Sequence, residues 1–528
     1  MGKYLQDKRN KYKLFIILIL VFGILVKFYK FRVLMDQTQS DEMGIGYDAW
    51  CLLNYGTDKY GFSWPVYFMN YGNGQSALYT YSLVPVMKIM GFSRTAIRTP
   101  ALLYSIITGI FATLLAGELI PDGSDDKKLT AQAAIAFLYA VSPYTFMVSR
   151  IALDCNLMFS CGTVFLYFLA KAHNSRKNLY FFLAGAFAGL TLYTYAISYI
   201  VMPLTLVMAL IYMIKKKHVS VINVITFVIP LAVLAYPLML VQIINSFNLE
   251  QMHIGIFTIT KLHEYRVGEL GFDNFFQGIW QGLVCILWHD GIRYNTNKYF
   301  FTFYPMSVPF FFYGLYVLIR RYVKKANDGA EPFILFWFIS EMLTAGLITD
   351  PNANRLNGTM IAVMYITVAG VAEFLYKIPE RAKKILSISL LAVYTVYFVA
   401  FMYAYVTVIG FDRSTTTSMC PEAIEFVNND PKLRDKVVAT NIPPLFYPAT
   451  ALPTPDKIDE DGNFRDKDHY YCYAYTDKDI LRDYFYNTGG FDQIYLVYLP
   501  TEDDKLLFEE MGATVKQFGY SFYLYYWE

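Results

Sequence analysis

The sequence predicts a mainly α-helical, polytopic transmembrane bundle of about eleven spans, closed by a small extracytoplasmic α/β domain at the C-terminus. Three observations carry this. Of 528 residues, 55% are hydrophobic and only 17% are charged. The apolar residues gather into runs of about 17 to 25, the length that crosses a bilayer rather than the length of a soluble core helix. From Phe411 onward the composition turns polar, with 21 Asp and Glu against 11 Lys and Arg, so the basic excess belongs to the apolar part of the chain. There it sits in short loops, where it reports topology and not a nucleic-acid surface.

Lys3, Lys8, Arg9, Lys11 and Lys13 precede the first apolar run, and no small-residue cleavage site follows it. This reads as an uncleaved first span with a cytoplasmic N-terminus. The spans are then Tyr12–Phe31, Arg98–Ile120, Leu129–Thr145, Asn156–Ala172, Leu179–Tyr195, Ile197–Ile214, Val219–Ile244, Phe301–Arg320, Glu331–Leu347, Gly358–Tyr376 and Ile385–Ile409. Parity decides the apolar stretch Ala77–Met90. If it does not cross, five inner loops each carry at least two Lys or Arg; if it crosses, all five move outside, against the positive-inside rule. It is therefore laid flat at the outer interface, as is Phe275–Trp288, which is short for a span.

Residues 1–410 form the membrane module, with long outer loops at 33–97 and 245–299, and residues 411–528 form the outer domain. Loops of this length, rich in aromatics and bounded by spans, are usually functional. In the outer domain, Pro421–Asn429 and Asp477–Tyr486 read as helices, and Lys436–Thr440, Gln493–Tyr498 and Ser521–Tyr526 as strands. Thr501-Glu-Asp-Asp504 resembles a capping box that opens a further helix. The six cysteines show neither a CxxC pair nor metal spacing; Cys155 and Cys161 read as small hydrophobes, and Cys420 and Cys472 are free to bond each other.

The candidate chemistry lies at the outer rim. Asp41-Glu42, just past the first span, is the equipment of a general base with a charged neighbour, or else a solvated pair that caps a helix. Arg98 opens the second span, as an interfacial arginine or a phosphate ligand. Arg150 and Asp154 stand four apart in the turn between the third and fourth spans, either pairing locally or facing the site. The second long loop supplies Lys261, His263, Arg266, His289, Asp290 and Arg293, and Arg355 precedes the tenth span. Cations and imidazoles over a lipid surface suit an anionic phosphate headgroup, with Arg98, Arg150, Lys261, Arg293 and Arg355 as donor-phosphate ligands. His263 and His289 are candidate ligands should a divalent metal bind.

Asp41-Glu42, Arg98-x-Pro-x-Leu and Ser142-Pro…Ser149-Arg-x-Ala-x-Asp154, in this order, together with GYDAWCLLNYGTDKYGFSWPVYF between the first two, resemble the GT-C membrane glycosyltransferase superfamily. The pattern is similar to the dolichyl-phosphate-mannose protein mannosyltransferases (glycosyltransferase family 39) and the bacterial aminoarabinose transferases. The likeness is good over Tyr12–Asn174 and general, by span pattern, to Ile409. It implies a sugar donor carried on polyprenyl phosphate and an acceptor that is a glycan, lipid or protein. It places the reaction at the outer face of the cell membrane, with Asp41, Glu42 and Asp154 at the acidic catalytic positions. One stretch departs from the pattern. Tyr71-Gly-Asn-Gly-Gln75-Ser-Ala lacks the acidic-basic pair and prolines of the aminoarabinose enzymes, which argues against that sugar and against a metal ligand there.

On this reading an acceptor hydroxyl is deprotonated by Asp41 while it attacks the anomeric carbon from the face opposite the phosphate, an inverting transfer. A transporter or flippase of lipid-linked sugars is the main alternative, but the charges cluster at the rim instead of along a path through the membrane, and no inverted repeat is evident. A non-catalytic scaffold presenting the outer domain is the second, disfavoured by two elaborate loops.

Overall fold

The computed structural model describes residues 8–34, 39–70, 73–120, 125–262, 271–292, 294–324, 328–409, 421–434, 436, 438–440, 470–472, 493–498, 500–518 and 522–527. The eleven apolar runs fall mainly on α1 (Lys8–Phe28), α4 (Arg94–Leu119), α5 (Asp125–Val141), α7 (Asn156–Ser175), α8 (Asn178–Leu192), α9 (Ser198–Lys215), α10 (Val221–Ser246), α12 (Ser307–Val323), α13 (Pro332–Leu347), α14 (Met360–Lys377) and α15 (Glu380–Thr407). Among the described residues five helices, α4, α9, α10, α14 (with the 3-10 turn before it) and α15, are long and apolar enough to cross a membrane by length and composition. Helices α5, α8, α12 and α13 have 15 to 17 residues. At 1.5 Å per residue these rise roughly 22–26 Å, short of a hydrocarbon core of about 30 Å.

The two stretches laid at the interface are helices, α3 (Ala77–Met90) and α11 (Phe275–Leu287). Helix α11 turns Gly278 and Gly282 onto α13, where a Cβ at Gly278 would lie 2.5 Å from the Ala345 carbonyl oxygen. Its other side leaves Phe276 and Trp280 exposed. Close backbone approach on one side and bare aromatics on the other is the pattern of a helix resting at a lipid boundary. The third apolar run ends earlier than expected. Helix α5 stops at Val141, and Ser142 caps a separate short helix α6 (Pro143–Val148), its hydroxyl accepting the Thr145 N–H. Pro143 cannot donate to the preceding turn, so the chain restarts there.

The two long loops are joined. The first contains helix α2 (Ser40–Tyr55) and a short hairpin, β1 (Phe68–Asn70) with β2 (Asn73–Gln75); the second contains the hairpin β3 (Met252–Ile254) with β4 (Phe257–Ile259). The Val66 N–H donates to the Thr258 carbonyl at 2.9 Å, the Thr258 N–H to the Ser63 carbonyl at 3.0 Å, and the Ser63 hydroxyl to the Ile256 carbonyl at 3.0 Å.

In the C-terminal part, α16 (Pro421–Asn429), β5 (Val438–Thr440), β6 (Tyr470–Cys472), β7 (Ile494–Tyr498), α17 (Glu502–Glu510), β8 (Thr514–Phe518) and β9 (Phe522–Tyr526) build a five-stranded mixed sheet in the order β6-β5-β7-β9-β8. Strand β5 runs parallel to β6 and β7, and β9 antiparallel to β7 and β8. Alternation along the strands separates the two faces. Val438, Ile494, Leu496, Phe522 and Leu524 join Ala423 and Val427 of α16, while Tyr495, Val497 and Tyr525 meet Leu507 and Phe508 of α17. The Thr501 capping box is present, and strands β6 and β8 were not foreseen. The helix expected at 477–486 and Cys420 lie outside the described residues.

Candidate active site

Helix α2 begins at the rim with an acidic first turn, and the two acids are treated differently. Glu42 is buried. Its Oε2 accepts the Gln39 N–H at 3.0 Å, closing the start of the helix, and its Oε1 accepts the Ala152 N–H at 2.7 Å. Arg98, from the first turns of α4, completes the arrangement with two parallel hydrogen bonds, Nε to Oε1 and Nη2 to Oε2, both 2.8 Å. A forked pair of this kind binds three chain segments at one point. Glu42 is therefore a cap, as one reading had it, but not a solvated one.

Asp41 is left half-buried beside it. Its Oδ1 accepts from the Asn70 side-chain amide at 3.2 Å, at the end of β1. Asp154 comes in from the turn before α7. Its Oδ2 accepts the Ser76 N–H at 3.0 Å, where α3 begins, and its Oδ1 the Cys155 N–H at 2.8 Å. Burial raises the Asp154 pKa to about 7; the charge of Asp41 pushes the same way, and the two N–H donors oppose both. Two carboxylates 113 positions apart in sequence thus share one electrostatic site, with the second able to hold a proton near neutrality.

The opposite wall is aromatic and amide-rich. The Tyr294 hydroxyl accepts from the Gln39 side-chain amide at 2.6 Å and from that of Asn354 at 3.4 Å, joining the approach to α2 to the segment before α14. Asp290 fixes that segment by accepting the Ala353 N–H at 3.0 Å. Arg355 is half-buried and electrostatically coupled to Tyr195, whose ring also feels Asp154.

Two expectations are corrected. Arg150 does not pair with Asp154, because the residues between α6 and α7 are not helical and an i, i+4 meeting needs a helix. Its guanidinium donates to the carbonyls of Lys27 and Tyr29, at 3.0 and 2.5 Å, and lies 4.2 Å from the Phe146 ring centroid. Arg98, read from sequence as an interfacial arginine or a phosphate ligand, pairs with Glu42 and ties α4 to α2, while Arg150 ties the turn after α6 to the end of α1. Lys261 is half-buried at the foot of the second loop, next to Leu262, whose N–H donates to the Asn245 side chain at 2.7 Å. His289 uses Nδ1 to accept the Gly291 N–H at 3.2 Å. His263, Arg266 and Arg293 lie outside the described residues. Among the described residues no three His, Cys, Asp or Glu side chains converge as a metal centre.

Asn70, Gln39 and Tyr294 were missed in sequence. Amides and a tyrosine in loops carry no spacing signal, and only the hairpin and the loop-to-loop hydrogen bonds bring them to Asp41.

The family model of dolichyl-phosphate-mannose-protein mannosyltransferases matches residues 76–236, which include α3, Asp154 and the helices that follow. The structure of ArnT from Cupriavidus metallidurans bound to undecaprenyl phosphate superposes with a TM-score of 0.56 at 11% identity, covering 98% of each chain. The apo form of the same protein gives 0.57 at 10% identity and 97% of each chain. The Archaeoglobus fulgidus oligosaccharyltransferase in complex with Zn and sulfate aligns over 82% of this chain and 61% of its own, at 14% identity and a TM-score of 0.49. No curated protein matches the sequence significantly. The family match covers residues 76–236, and the superposition, which runs nearly end to end, gives this chain the fold of ArnT.

Proposed function

We propose that the protein is an inverting glycosyltransferase that moves a sugar from a polyprenyl-phosphate donor to an acceptor hydroxyl at the outer membrane face. The observation that carries this is the meeting of Asp41 and Asp154 at a rim built from both long loops. Asp41 is the less enclosed of the two acids in the first turn of α2 and takes the hydroxyl proton. The new bond forms between the hydroxyl oxygen and the anomeric carbon as the carbon–oxygen bond to phosphate breaks, and the phosphate departs with the electron pair. A phosphate diester leaving as a monoester needs no general acid, only positive charge. Arg355 and Lys261 are the described cations assigned this role, and Arg293, next to Tyr294 in sequence, is a third. Glu42 and Arg98 hold the site without touching substrate. Were a divalent metal bound, Asp41 and Asp154 are the described carboxylates at hand to hold it, and it would supply positive charge to the departing phosphate.

The eleven-span topology, with the N-terminus inside and residues 411–528 outside, belongs to the same proposal. One buried apolar cluster that includes Met43 of α2, Tyr79 of α3 and Val427 of α16 supports a common side for the first loop and the C-terminal domain. Cysteines placed at Lys215 and Lys505 should label from opposite sides of sealed vesicles; labelling of both from one side would reject the topology.

The flippase reading keeps one observation. Glu341 is buried within α13 and neither carboxyl oxygen has a hydrogen-bond partner, and an acid inside a span is a functional candidate. Purified protein given undecaprenyl-phosphate hexoses and pentoses with a lipid, glycan or peptide acceptor separates the two. Product formation that Asp41→Asn abolishes supports transfer; donor translocation in vesicles without product supports the flippase.

A further inference from the structure

Behind Asp41 lies a second polar group that no reading of the site has used. Asp48, about two turns further along α2, and Lys59, in the loop after it, form an ion pair with both side chains fully enclosed, Nζ to Oδ2 at 3.0 Å. Asp48 Oδ1 also accepts the Lys59 N–H at 3.1 Å. The ammonium then reaches a third partner, the Asn70 Oδ1 at 3.4 Å, and the Asn70 amide nitrogen donates to Asp41 Oδ1 at 3.2 Å. Oxygen and nitrogen of a side-chain amide are interchangeable by rotation, so something must decide which end faces the carboxylate. An ammonium has donors only. The atom it meets must be the amide oxygen, and the amide N–H₂ is thereby turned to Asp41. Space for this exists because residue 44 is glycine: a Cβ there would lie 2.8 Å from Asn70 Oδ1.

We infer that Lys59 is a positioning residue for the transfer, acting through Asn70 to present a hydrogen-bond donor to the Asp41 carboxylate and keep it in the charged form. The inference rests on Asp41 being the base. Groups facing Asp41 include Asp154 and Cys155 from the turn before α7 and Tyr294 from the second loop, with Glu42 next to it on its own helix. These are acidic or neutral, and a donor held in place acts against their effect on the carboxylate. A pair that merely tied the loop to α2 would need only the two bonds to Asp48.

The experiment reads Asp41 directly and needs no substrate. Infrared pH titration of the full-length protein in nanodiscs, minus the spectrum of Asp41→Asn, isolates the Asp41 carboxylate band. Asn70→Leu should raise its midpoint by about one unit. The double variant Asp48→Asn/Lys59→Met removes a neutral pair and changes the distant field little, yet should raise the midpoint in the same direction because the amide is no longer oriented. Gly44→Ala crowds the amide oxygen and touches no charge; it should do likewise and covers the case in which the double variant does not fold. If Asn70→Leu moves the midpoint and neither of the others does, Lys59 has no positioning role; if none moves it, the whole relay is overturned. Transfer that persists in Asp41→Asn would instead remove the proposed mechanism and leave this titration intact.

Discussion

The acidic and cationic sides of the site are built by different means. On the acidic side Glu42, Asp154 and Asp48 each accept at least two hydrogen bonds from groups fixed in the backbone or buried with them. On the cationic side Lys261, His289 and Arg355 are half-buried and stand on separate loop segments. Carboxylates that set bond-making geometry tolerate little displacement, and rigid placement is what catalysis of proton transfer requires. Cations that meet a flexible lipid headgroup act at longer range and can be distributed. The difference teaches that the chemistry of this site is concentrated and its binding diffuse, so losses on the two sides should differ in kind.

The largest effect expected is at Asp41. Asp41→Asn keeps the shape and cannot take a proton, and single-turnover transfer at saturating donor should fall about 10²–10⁴-fold with donor affinity retained. Arg98→Ala tests the other half of the same helix turn. It leaves Glu42 buried without its partner, which typically costs about 3–5 kcal/mol, so thermal unfolding in detergent should show a destabilised protein before any kinetic defect is read. A stable Arg98→Ala protein with weakened donor binding would return Arg98 to the phosphate and erase the contrast.

Asp154 sharpens the comparison by pH. With its folded pKa about 7, against about 4 for an unfolded aspartate, the folded protein binds the extra proton between those values. Stability should therefore be greatest at the acidic end of this window and fall as pH rises through it. Asp154→Asn should flatten that slope, and by removing a negative neighbour should move the acid limb of transfer to lower pH. An unmoved limb would mean that the two carboxylates do not interact. The smallest effects belong to the cations. Arg355→Ala should weaken donor affinity about tenfold, roughly 1.4 kcal/mol, with turnover at saturation preserved, and Lys261→Ala less, within about 1 kcal/mol. A collapse of turnover in either would show that the cationic side is as concentrated as the acidic one.

Helix positions were legible in the sequence because apolar runs of spanning length leave few alternatives, and the boundary at Ser142-Pro143 was misplaced only because apolar composition continues across it. Asp41, Glu42 and Asp154 were legible through their place after the first span and in the third turn. Their roles were not. Whether Glu42 is solvated depends on Arg98, 56 positions away, and the spacing of Arg150 and Asp154 suggested a contact that only a helix could make. The Asp48–Lys59 pair had one visible trace, Asp48 and the adjacent Asp58-Lys59 as the charges of an otherwise largely aromatic and apolar stretch, but an eleven-residue separation matches neither helix nor strand periodicity.

The hydrogen bonds that join Ser63 and Val66 to Ile256 and Thr258 also impose an order on biosynthesis. The first loop holds Asp41 and Asn70, yet part of its backbone finds partners only after some 190 further residues have been made. At about 5–20 residues per second this is roughly 10–40 s of synthesis. During that interval the nascent chain already carries both acids of α2 but not the strand that fastens the loop behind them, and Asp154 arrives part-way through. The Arg355 segment comes later still. A translating ribosome therefore delivers this rim in the order base, partner acid, brace, cation, and a chain cut short between Asp154 and Thr258 has its acids without the frame that aims them.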